Sequence, residues 1–230
     1  MTVPTADTID VPATEPIDSR LVLRRMATVA WLSILLGLAI QTALLVTNLL
    51  ASGQLPPAAA VVVDFAQGLT WSFFVCAGIG LGTTLARSRV ALGGLVGMIA
   101  APVAVGVAKG SQKAVSAALD VAERQALLPL MSVSLVRAVQ YGILGWLLAS
   151  LAVKREERLS RYLMAGAVAG LAFGGAITAL LIYRAGLAGT PMTGGRIVAT
   201  SINEMLFPIG CTLVVYVALR VSVHVKQLTA

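Results

Sequence analysis

The sequence predicts an all-α integral membrane protein: a bundle of six transmembrane helices with the N and C termini cytoplasmic. Three observations predict it. Of the 230 residues, 58% are hydrophobic and only 12% are charged, about half the charged share of a soluble domain; mean hydropathy is +0.90. The apolar residues gather into six runs, each long enough as a helix to cross the ~30 Å hydrocarbon layer. The basic residues collect in short clusters at the ends of those runs. That placement also explains the net charge of +7 as membrane topology, so no nucleic-acid partner is expected. The partner the composition does imply is the lipid bilayer, with the cell (inner) membrane as the expected location.

Residues 1–19 are polar, carry three prolines and four acids, and read as a disordered cytoplasmic tail. Arg20, Arg24 and Arg25 then introduce the transmembrane domain, residues 20–222. Its first span is 26–50, interrupted by Gln41 and Asn48. Ser52, Gly53, Pro56 and Pro57 make an uncharged loop. The second span, 58–85, has Asp64 and Gln67 near its start and Gly78, Gly80 and Gly82 near its end. Arg87 and Arg89 mark a tight basic turn before the third span, 90–108, which holds Gly93, Gly94, Gly97, Gly106 and Pro102.

Residues 109–125 are polar, but Val115, Ala118, Leu119 and Ala122 recur at helical spacing. They read as a short surface helix or as a polar extension of the next span, with Asp120 and Arg124 as an i,i+4 pair. The fourth span, 126–153, has no acid and a single base, Arg137, with apolar residues on both sides. The cluster 154–158 (Lys-Arg-Glu-Glu-Arg) ends it. The fifth span, 162–183, repeats glycine at Gly166, Gly170 and Gly174. A small-residue face at that spacing packs closely against a neighbouring helix, in the same chain or in another copy; Gly93 and Gly97 offer a shorter version. The sixth span, 197–219, contains Asn203, Glu204 and Pro208, and 223–230 is a short cytoplasmic tail.

Six spans place both termini on one side. Eleven Lys and Arg residues fall on that side and five on the other, which puts the termini in the cytoplasm. Trp31, Tyr162 and Tyr216 then lie near the inner interface and Tyr183 near the outer one.

The chemistry concentrates on Arg137. A guanidinium at membrane depth costs on the order of 2.5–3.5 kcal/mol on insertion scales and is expected to face other helices with a partner. Spans two, four and six run in the same direction, so Asp64, Arg137 and Glu204 come to similar depths, with Gln67, Gln140 and Asn203 close by in sequence. These six are the substrate-binding or ion-pair candidates. Pro208 cannot hydrogen-bond the carbonyl of Glu204, four residues earlier. Two readings follow. In one the cluster lines a polar cavity and meets a solute; in the other Arg137 and Glu204 form an interior ion pair that fixes helix register. A shift of 73 residues also superposes Asp64 and Gln67 on Arg137 and Gln140, and Gly93 and Gly97 on Gly166 and Gly170. That is a faint internal echo of the kind transporters carry.

No catalytic residue, metal site or cofactor is expected. The single histidine, His224, is in the tail, the two cysteines lie apart in apolar runs, and no phosphate-binding loop or nucleophile elbow occurs. The expected function is a small transporter or channel-like protein for a small polar or ionic solute. The alternative is a non-catalytic membrane subunit that anchors or assembles partner proteins. Either role suits a homo-oligomer or a membrane protein partner, with the glycine face of span five as a candidate contact.

Overall fold

The computed structural model describes residues 19–86, 89–122 and 130–229. They form helices α1 (Ser19–Ser52), α2 (Ala58–Leu85), α3 (Val90–Ala118), α4 (Leu130–Val153), α5 (Leu159–Ala169), α6 (Gly175–Leu187) and α7 (Gly194–Thr229). A π-helical turn, Gly170–Gly174, joins α5 to α6, so the two make one rod, Leu159–Leu187. Counting that rod once, six helices are long and apolar enough to cross a bilayer. The chain is an all-helical, multi-pass membrane protein.

Successive helices run antiparallel, and residue pairs show it. Arg25 on α1 donates to the Thr83 hydroxyl on α2 at 2.9 Å, and the Ser72 hydroxyl donates to the Ser33 carbonyl at 2.6 Å. As numbers rise on α1 they fall on α2. The same inversion relates Gly78 and Gly82 of α2 to Ala100 and Gly93 of α3, and Gly93 and Gly97 of α3 to Gly145 and Tyr141 of α4. The helices close into a ring in which α1 touches α2 and α7, α3 touches α2 and α4, and α5 touches α4 and α7; α2 also meets α4 and α7 across the middle.

Small residues set the closest approaches. On Gly166, Gly170 and Gly174, a Cβ would strike the α7 backbone at Pro208 and Ile209, at Met205 and at Glu204 respectively. On Gly97 it would strike the Tyr141 carbonyl. Packing of this kind replaces the hydrophobic drive that lipid cannot supply between helices. The glycine face of span five is therefore covered by α7 of the same chain and is not free to meet another copy. Each stripe, on α3 and on α5, seats the helix that follows it. Outside, Trp31, Leu95, Ile99, Trp146, Met164 and Leu171 are all more than half exposed, as residues facing acyl chains are.

One boundary differs from the sequence expectation. Residues 109–118 are neither a separate surface helix nor part of the next span: α3 continues unbroken to Ala118. The reason is its buried stripe, Gly93, Gly97, Ala101, Ala104, Val105, Ala108, Gln112 and Ser116, which keeps helical spacing through the change in polarity. Asp120 then has φ +52°, so the helix does not run through it; its expected partner Arg124 lies outside the described residues. The segment expected as a short C-terminal tail continues α7, which extends to Thr229. The N-terminal tail lies outside the described residues up to Ser19, which begins α1.

Candidate functional site

Arg137 and Glu204 meet. Arg137 Nη2 donates to Glu204 Oε1 at 2.5 Å, linking α4 to α7, with side chains 13% and 8% exposed. The sequence places both on spans that descend in the same direction, and the ring of helices turns them toward each other. The guanidinium also lies over the Trp71 ring of α2, 4.3 Å from its centroid. That geometry is an attractive cation–π contact, strengthened by desolvation. Trp71 packs edge-on against Tyr141 at 5.6 Å and against Phe207 at 5.9 Å, so three helices hold the aromatic seat beneath the charge.

The ion pair is incomplete in a specific way. Glu204 Oε1 also accepts from the Asn203 amide at 3.2 Å. Among the described residues no hydrogen bond involves Glu204 Oε2, and the buried Arg137 Nε has no hydrogen-bond partner. An Arg–carboxylate pair in its strongest form is bidentate; this one uses one atom from each side.

Both residues line a cavity of about 460 Å³, within the 300–1,000 Å³ typical of small-molecule sites. Asp64, Gln67 and Asn203 line it too, so five of the six candidate residues share one space. Gln140 does not. It is buried at 1% exposure, one helical turn from Arg137, and neither of its amide atoms has a hydrogen-bond partner among the described residues.

The cavity wall includes groups that the sequence did not mark as site residues. Gln41 and Asn48 show as polar interruptions of span one, and their spacing of seven puts them on one helix face. Gln41 reaches α2 at Gly68, where a Cβ would occupy the place of its amide. Lys109 looks like an interfacial charge, yet it lines the cavity from α3 and donates to Gln112 Oε1 at 2.7 Å. Trp71 and Phe207 give no sequence signal beyond being aromatic.

The cavity lies toward the end of the bundle opposite the termini. Asn48, Pro56, Ala199 and Thr200 line it and also line a second, wider space of about 970 Å³ beside the α1–α2 loop and the start of α7. The two spaces therefore adjoin at that end of the bundle.

The helix behind Glu204 is itself irregular. Pro208 has no N–H to return to the Glu204 carbonyl, and that carbonyl faces Gly174 at the end of the π turn. π turns inside helices occur often at functional sites; this one lies directly behind the acidic partner of Arg137.

Comparison with known proteins finds no matching family model, no matching curated protein and no matching solved structure.

Proposed function

We propose that this multi-pass membrane protein is a small, non-catalytic transporter or channel-like protein of the cell membrane. It moves a small polar or ionic solute, and both of its termini lie in the cytoplasm. The observation that carries this reading is the cavity itself. A purely structural ion pair calls for close packing around it, because an enclosed polar void is costly in a bundle. Here the Arg137–Glu204 pair stands in the wall of a 460 Å³ space lined by further amides and charges. The excess of Lys and Arg on the terminal side points the cavity outward. Intramembrane charges facing such a space mark solute pathways.

The test is reconstitution into proteoliposomes, with uptake measured for a panel of labelled amino acids, organic acids and amines, and osmotic swelling for uncharged solutes. Flux of at least one solute is expected, abolished by Arg137→Gln and by Glu204→Gln when equal amounts of folded protein are reconstituted. Absence of flux across the panel, with the same variants reducing co-purification of a membrane partner, would instead support the anchoring role.

A further inference from the structure

Among the described residues, the formal charges that line the cavity cancel. Two cations, Arg137 from α4 and Lys109 from α3, face the same space as two carboxylates, Asp64 from α2 and Glu204 from α7. A solute with net charge would leave that charge uncompensated beside groups flanked by hydrocarbon, which is expensive. A neutral solute would make little use of the charged groups. A zwitterion adds no net charge and offers a partner of opposite sign to each kind of group.

The hydrogen-bonding capacity left over has the same two-sided character. Arg137 spends Nη2 on Glu204, and no hydrogen bond among the described residues engages its Nη1. The hydrogen bond of Lys109 to Gln112 uses one of the three protons of its ammonium. Glu204 places both of its hydrogen bonds on Oε1, so Oε2 is open to a donor. Beside these groups the wall is aromatic, with Trp71, Phe207 and Phe65 lining the cavity. That combination suits an apolar body attached to a charged head.

Resting on the transport reading above, we infer that the cavity binds a small zwitterion with an apolar body: a free α-amino acid with an aliphatic side chain. Its carboxylate goes to Arg137 and Lys109, its ammonium to Glu204 Oε2, and its side chain lies against Trp71 and Phe207.

The experiment uses the full chain in detergent micelles and tritiated leucine in a scintillation-proximity assay. Two competitors keep the leucine skeleton and lose one charge each: 4-methylpentanoate lacks the ammonium and isopentylamine lacks the carboxylate. Saturable leucine binding is expected, with each competitor weaker than leucine by at least about tenfold, because each forfeits one charge-assisted group. Variants locate the two ends. In Glu204→Gln the preference for leucine over 4-methylpentanoate shrinks, and in Lys109→Gln the preference for leucine over isopentylamine shrinks.

No saturable leucine binding, or equal or tighter binding of either singly charged analogue, overturns the inference. The wild-type comparison decides this even where a variant fails to fold. The two readings also separate. Leucine binding with this selectivity but no uptake into proteoliposomes keeps the zwitterion site and removes transport. Uptake of other solutes by a protein that does not bind leucine keeps transport and removes the zwitterion.

Discussion

The Cα of Gly174 rests against the main-chain carbonyl of Glu204, so closely that a Cβ there would collide with the carbonyl oxygen. Pro208, four residues later, cannot supply that oxygen with its usual helical donor. The π turn, the proline and the buried acid thus meet at one point, and the backbone behind Glu204 is set by a glycine on another helix.

Substitution at that point follows directly. Gly174→Ala forces α7 outward and is expected to cost about 1–3 kcal/mol, as overpacking does. Gly106→Ala is the control: nothing lies within 4 Å of its added Cβ, and removing a mid-helix glycine gains about 0.5–1 kcal/mol. Thermal unfolding in detergent should lower the midpoint for the first and raise it for the second. Equal midpoints would contradict the contact.

The Arg137–Glu204 pair predicts strong coupling. Arg137→Gln or Glu204→Gln alone leaves one buried charge unpaired, which costs about 3–5 kcal/mol. The double variant should cost clearly less than the two together, and a thermal-stability cycle measures the difference. Charge reversal, Arg137→Glu with Glu204→Arg, should recover only part of the loss. It would place a carboxylate over the Trp71 face, where the ring quadrupole favours a cation. Additive single effects would rule out direct pairing.

Gln140 makes the opposite prediction. Both amide atoms are buried and unbonded among the described residues, so Gln140→Met removes a desolvated polar group at nearly constant volume. The unfolding midpoint should hold or rise, by up to about 1–3 kcal/mol of stability. A marked drop would show that the amide is satisfied after all.

A pH-dependent contribution sits in the α4–α5 loop. Glu156 Oε1 accepts the backbone N–H groups of Glu157 and Arg158, each at 3.1 Å. The Arg158 N–H, with help from the charge of Arg161, holds the Glu156 carboxyl below the ordinary glutamate value of 4.5. Because the folded value is the lower one, the contribution is complete above 4.5 and fades as pH falls through the lowered value. Glu156→Gln should therefore lower the unfolding midpoint at pH 7, and the gap to wild type should close in acid. A gap that persists at low pH would point to a different cause.

Much of the fold is legible in the residues. Runs such as 126–153 announce themselves by length, and a base inside one announces a partner, because both are local costs of putting a group in oil. Glycines at four-residue spacing announce a close helix contact but not its owner. The end of α3 is not legible in the same way: the composition turns polar at Lys109, while the buried stripe continues to Ser116. Composition and packing diverge there, and packing sets where the helix ends.

The sequence alone determined the six crossings and the burial of Arg137 and Glu204, since hydropathy and insertion cost are summed along the chain. The tertiary structure decided which groups share a space. Arg137 and Gln140 lie only about 60° apart around α4, yet one faces the cavity and the other the core. Lys109 is drawn in from an apparent interface, and the glycine stripe of α5 is taken by α7. Those outcomes depend on the rotation of each helix about its axis and on the order of helices in the ring. Both are fixed only when all six pack together, because in lipid the contacts between helices, and not the apolarity of any one, choose the partner.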